Sequence, residues 1–112
     1  MTKIETKVGD SVVWKMKYKN QDNTPVDLTG FTLNVDAVNK STKTVLFNIL
    51  SSTPTSNMYI TTDLFNIGEF SIIIKDTSSF AVGEYLVDVE YRSADGFVSS
   101  SETFTLKMVE RL

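Results

Sequence analysis

Between residues 12 and 19 the chain alternates: Val12, Trp14, Met16 and Tyr18 are apolar or aromatic, and Lys15, Lys17 and Lys19 fall between and after them. Successive side chains on a β-strand point to opposite faces, so this spacing lays one face on a core and sets three lysines in water. On a helix the same residues would scatter around the barrel. Lysines on a strand also discourage edge-to-edge pairing with other chains.

The alternation recurs along the chain. Ile4, Thr6 and Val8 against Lys3, Glu5 and Lys7 read as a short edge strand, turned by Gly9-Asp10. Phe31, Leu33, Val35 and Ala37 against Thr32, Asn34 and Asp36 give a third strand, and Val45, Phe47 and Ile49 a fourth. Met58 and Ile60 begin a fifth; Gly68, Phe70, Ile72 and Ile74 carry a sixth; Tyr85, Val87, Val89 and Tyr91 a seventh. One last long strand is expected over residues 97–108, with Phe104, Leu106 and Met108 inward. Polar segments at 20–25, 39–43, 51–56 and 93–96 separate these runs, and their Asn, Asp, Ser, Gly and Pro residues suit turns. Residues 76–82 are expected to form a single helical turn, since Asp76 and Thr77 are N-cap types.

Composition agrees. Val, Ile and Thr make up 33 of 112 residues and Ala only 3, and β-branched side chains pack well on a pleated sheet. A chain of this length fits one domain, 1–112, which buries about two-thirds of its unfolded surface. The expected fold is an all-β, Ig-like antiparallel β-sandwich of seven to eight strands, with a small barrel as the alternative. Glu84-Tyr85 at the head of a late strand fits a tyrosine corner, in which the hydroxyl bonds nearby backbone.

The residue inventory restricts the chemistry. There is no histidine and no cysteine, so the commonest general base, the commonest metal ligand, thiolate nucleophiles and disulfides are all absent. No glycine-rich loop opens a helix to cradle phosphate. A net charge of −3 gives no basic face for nucleic acid. The opening MTKIETKVGD is too polar for a signal peptide, and no apolar run reaches the roughly 18 residues that cross a bilayer. One carboxylate pair, Asp88 and Glu90, shares a strand face about 7 Å apart, which reads as a solvated outer face opposite Val87 and Val89. Asp22, Asn23 and Asp27 bracket a turn with hard oxygens but lack the spacing of a calcium loop. Catalytic, cofactor-binding and metal residues are therefore expected to be absent, with no cofactor. For sugar binding the candidate aromatics are Tyr59, Phe65 and Phe80, each near a loop; capping of the core ends is their competing role.

Two stretches go beyond generic strand patterning. Gly9-Asp10 leads through a strand into Asp22-Asn23-Thr24-Pro25-Val26-Asp27-Leu28-Thr29-Gly30 and then Phe31-Thr32-Leu33; much later comes Phe80-Ala81-Val82-Gly83-Glu84-Tyr85, followed by Val87-Asp88-Val89 and Asp95-Gly96. Over roughly residues 7–108 the chain resembles the N-terminal domain of phage baseplate upper proteins and related Ig-like domains of phage tail and virion proteins. Asn23 stands where that pattern has a turn glycine. In physical terms the motif is a fold corner: Pro25 fixes φ, Leu28 plugs the end of the sandwich, and Gly30 permits the turn into Phe31.

The resemblance implies a non-enzymatic bacteriophage virion structural protein, a baseplate or tail component or adaptor. It would work through contacts with other virion proteins and with symmetry copies of itself, be made in the host cytoplasm and reside in the virion. The alternatives are a capsid decoration or head-fibre protein, or a carbohydrate- or receptor-binding module that meets a host-surface glycan. Neither nucleic acid nor membrane is expected as a partner. Ile67 and Ile73 lie opposite Phe70, Ile72 and Ile74, Val13 breaks the lysine face, and Val38 breaks the face of Thr32, Asn34 and Asp36; together they are the expected contact surface.

Overall fold

The computed structural model describes residues 3–63, 65–101 and 103–111. They form β1 (Lys3–Lys7), β2 (Val12–Lys17), β3 (Thr32–Asn39), β4 (Val45–Leu50), β5 (Met58–Thr62), β6 (Glu69–Ile74), β7 (Gly83–Arg92), β8 (Val98–Ser100) and β9 (Phe104–Val109). The larger sheet runs β1-β9-β7-β3-β4, with β8 also on β7, and the smaller runs β2-β6-β5. The fold is an Ig-like β-sandwich, and no helix among the described residues is long and apolar enough to cross a membrane.

Period two holds where it was clearest. Leu33, Val35 and Ala37 of β3, Phe70, Ile72 and Ile74 of β6, and Tyr85, Val87, Val89 and Tyr91 of β7 all face the core. Trp14 is 7% exposed, edge-on to Phe104 at 5.7 Å between ring centroids and tilted against Phe47 at 6.4 Å. Antibody-type domains carry the core tryptophan on the third strand of this topology, against a disulfide whose second cysteine lies two residues past the corner tyrosine. Here the tryptophan is on β2, the third strand offers Val35, and Val87 holds the second cysteine's position.

The tyrosine corner is present: the Tyr85 hydroxyl donates to the Ala81 carbonyl at 2.7 Å. At the same end of the sandwich, Thr77 is fully buried. Its hydroxyl accepts from the Gly9 amide at 3.0 Å and donates to the Asp10 carbonyl at 2.7 Å, tying the β1–β2 corner to the β6–β7 connection.

Several expectations are corrected. Among the described residues there are nine strands, because residues 97–108 hold two: β8 ends at Ser100 and β9 begins at Phe104, while Glu102 lies outside the described residues. Ser101 takes over the ladder on its own terms, its amide donating to the Val89 carbonyl and its hydroxyl accepting from the Val89 amide. The sandwich is not wholly antiparallel, since β1 pairs parallel with β9. The turn expected at Gly9-Asp10 is present, and it carries the chain from the larger sheet to the smaller. Residues 76–82 hold a tight turn closed from the Phe80 amide to the Thr77 carbonyl at 2.9 Å, and no helix. Val45 does not point inward with Phe47 and Ile49: the β3–β4 register shifts between Ala37 and Val38, and the bulge leaves Val45 67% exposed.

Candidate protein-binding surface

Strand direction gathers three connections at one end of the sandwich. Lys17 at the end of β2 pairs with Glu69 at the start of β6, and Thr32 at the start of β3 pairs with Arg92 at the end of β7. The β2–β3, β5–β6 and β7–β8 connections therefore emerge side by side. In variable-type sandwiches the binding loops lie at one such end.

Tyr18 knits them together. Its amide donates to the Gly68 carbonyl at 2.8 Å, and its carbonyl accepts from the Val26 amide at 3.0 Å. Its ring stacks on Tyr91 at 3.9 Å and 5°, and its hydroxyl bonds Ser99. A Cβ on Gly68 would lie 2.7 Å from the Tyr18 carbonyl oxygen, so only glycine lets the β5–β6 loop pass this close beneath the β2–β3 loop. On the other side Gly30, at φ 80°, packs against Ala94 of the β7–β8 hairpin. Burial pushes the Tyr91 hydroxyl up to about 12, and the neighbouring Tyr18 adds to the shift.

Carboxylates fix the loop conformations from within. Asp22 accepts from the Thr24 hydroxyl and amide, Asp27 from the Thr29 amide and hydroxyl, and Asp63 from the Phe65 and Asn66 amides and the Asn66 side chain. These donors hold all three carboxyls below their ordinary range: chiefly the Thr24 hydroxyl for Asp22, the Thr29 amide for Asp27 and the Asn66 side chain for Asp63. Asn23 adopts φ 72° in the turn, as its place in the motif requires. The oxygens weighed as calcium ligands thus serve their own loop. No group of three or more carboxylates among the described residues is placed to hold a metal ion.

This end also carries the bare aromatic side chains. Phe65 is 94% exposed at the tip of the β5–β6 loop and Phe97 76% exposed on the β7–β8 hairpin, with Ile67 and Val98 beside them also exposed. A shallow groove runs from Phe65 and Ile67 past Lys17, Asn23 and Pro25. Large apolar side chains exposed at one end and rimmed by polar groups make this end the candidate contact surface.

The expected contact set is not one patch. Ile67 sits in the turn before β6, at the loop end, whereas Ile73 is near the far end of the strand and pairs with Val13 and Tyr59 on the outer face of the smaller sheet. Val38 is on the outer face of the other sheet, between Leu86 and Val45. The sugar-binding aromatics do not converge either: Phe80 is buried and stacked on Phe47, Tyr59 is half-buried with the Lys75 ammonium 5.8 Å from its ring, and Phe65 alone is bare. Asp88 and Glu90 lie on the open outer face, one bonded to the Thr103 hydroxyl and the other to Arg92 at 3.3 Å. Phe97 was not foreseen as a surface residue, since alternation alone enrols it in the last strand. Its signal is its place directly after Gly96 in a tight hairpin.

No protein-family model matches the chain, and no curated protein matches it. Among solved structures it is similar to murine CRIg, an Ig-like protein, with a TM-score of 0.54 and 12% identity over 97% of this chain and 93% of that one. At that identity the likeness is one of fold, an Ig-like sandwich.

Proposed function

We propose that this chain is a non-enzymatic structural domain of a bacteriophage virion, a baseplate or tail component or adaptor, which binds a neighbouring virion protein through the loop end. The observation that carries the binding role is the exposure of Phe65, Ile67, Phe97 and Val98 at one end of the sandwich, where Tyr18 ties the connections together and Asp63 holds the loop of Phe65. Rigid loops that present aromatic side chains lose little conformational entropy on binding. The virion context rests on the resemblance carried by residues 22–30 and 80–85. The absence of histidine and cysteine, with Asp88 and Glu90 on an open face, supports a role without catalysis.

Mass spectrometry of purified phage particles from the source of this sequence tests the context. The chain is expected in stoichiometric amount; its presence in the lysate but not in particles would reject the assignment. Phe65→Ser with Phe97→Ser tests the surface, and is expected to leave the melting temperature unchanged while excluding the chain from particles. A second reading, a carbohydrate- or receptor-binding module, is favoured by bare Phe65 beside a groove with Lys17 and Asn23. A glycan array giving signal that Phe65→Ser removes would establish it in place of the first.

A further inference from the structure

The two outer faces of the sandwich carry matching patterns of opposite charge. On the smaller sheet Val13, Ile73 and Tyr59 form one cross-strand row, since Val13 pairs with Ile73 and Ile73 with Tyr59. Two residues along β2 from Val13, toward the loop end, stands Lys15, exposed, close enough to Asp63 to help lower its carboxyl but with no ion pair within 4 Å among the described residues. On the larger sheet Leu86, Val38 and Val45 form a second apolar row, and two residues from it, again toward the loop end, stand Asp36 and Asp88. These two carboxylates are direct cross-strand partners, and no lysine or arginine among the described residues lies within 4 Å of either. Like charges directly opposite on a ladder oppose folding. Among the described residues they accept hydrogen bonds from neutral donors, Asp36 from the Asn48 side chain and Asp88 from the Thr103 hydroxyl.

We infer that copies of this chain stack head to tail, the outer face of the smaller sheet of one copy seated on the outer face of the larger sheet of the next. A repeat of about 20 Å along the sandwich normal, two sheet spacings, with β2 of one copy seated over β7 of the next, lays apolar row on apolar row and brings Lys15 over the Asp36–Asp88 pair. The spacing from row to charge is two residues on both faces, so one registration satisfies both. The occupant is a second copy because the complementary pattern is in this chain itself. A three-stranded face six residues long covers about 300 Å² on each partner, well below the roughly 1,200 Å² total of a stable standard interface. The contact is thus weak for a pair and strengthened by repetition or by a scaffold. It is heterologous, so it extends into a stack or closes as a ring. This names a partner for the protein-binding role proposed above and rests on that role; the loop end stays free for another protein.

Sedimentation velocity on the full chain at rising protein concentration, at low and high salt, is the test. The sedimentation coefficient is expected to rise with concentration, and to rise less in high salt. Lys15→Glu alone and Asp36→Lys/Asp88→Lys alone should each weaken association by roughly tenfold or more. Mixing the two variants should restore it, because the new glutamate of one meets the new lysines of the other. A monomer at every concentration, undiminished association of either variant, or no rescue in the mixture overturns the stack. Should the variants not fold, backbone chemical-shift changes with concentration in the unaltered chain decide. They belong at Val13, Lys15, Ile73, Val38 and Asp36, and changes confined to Phe65 and Phe97 overturn the stack. Particle composition and sedimentation are separate measurements, so failure of one leaves the other standing.

Discussion

Tyr18 lies flat on Tyr91, the ring centroids 3.9 Å apart and the planes within 5°. The pair bolts the start of the β2–β3 loop to the end of β7, across the gap between the sheets. The Tyr91 hydroxyl is held neutral by burial, with its value pushed up to about 12. A raised folded-state value contributes stability that is fully present below the unfolded tyrosine value of about 10 and is lost as pH rises toward 12. Unfolding free energy, followed by urea melts at rising pH, should therefore fall above pH 10, and Tyr91→Phe should make that fall shallower. An unchanged alkaline slope in the variant would remove Tyr91 as the cause.

Trp14→Ala should destabilise the domain by roughly 3–5 kcal/mol, from lost burial and from a cavity lined by Phe47 and Phe104. With no disulfide behind it, this packing is the main tie between β2 and the larger sheet. Chemical denaturation measures the loss. The fluorescence maximum of Trp14, the chain's one tryptophan, should be that of a buried indole and shift to the red on unfolding.

Thr77→Val keeps the shape of a fully buried side chain and deletes both of its hydrogen bonds, leaving the Gly9 amide and the Asp10 carbonyl to find water. The expected cost is about 1–3 kcal/mol. Thr77→Ser should recover most of it. Equal losses in the two variants would point to packing of the methyl group instead.

The acid limb is set by exposed carboxylates that cap their own loops. Asp22, Asp27, Asp63 and Asp76 all lie below their ordinary value, Asp76 chiefly through the Ser78 amide. A depressed folded-state value contributes stability present above the unfolded carboxylate value and lost as pH falls through the folded one. Melting temperature should hold from neutral pH down to the ordinary carboxylate range and then fall. Asp63→Asn should flatten that fall and broaden the amide signals of Phe65 and Asn66.

Because Asp22 and Asp27 point their acceptor oxygens at Thr24 and Thr29, added calcium should find no ready cage. Thermal melts with a chelator and with millimolar calcium are expected to coincide. A shift of several degrees between them would mean that the β2–β3 loop rearranges around a bound ion.

The sequence by itself determined the class of the fold and most of its core. Residues 12–16, 33–37, 70–74 and 85–91 carry period two strongly enough to read as strands even where Val13, Ile73 and Leu86 interrupt it, and burial of alternate side chains is a local consequence of the pleat. The corner at Tyr85 and the turn through Asn23 and Gly30 were legible for the same reason: each needs a residue type that few others can replace. What depended on partners distant in the chain was not legible. The bulge opposite Val38 exposes Val45, and only the pairing of β3 with β4 reveals the extra residue. The end of β8 before Ser101 answers to Val89, and the parallel seat of β1 answers to β9 a hundred residues away. Ile67 and Ile73 share a parity, yet a turn holds one and a strand carries the other to the far end of the sheet. Which residues share a surface depends on which strands lie side by side, and that is fixed by the free energy of the whole packed core. The gathering of Phe65 and Phe97 at one end, and of Lys15 and Asp36 on opposite faces, belongs to the tertiary structure alone.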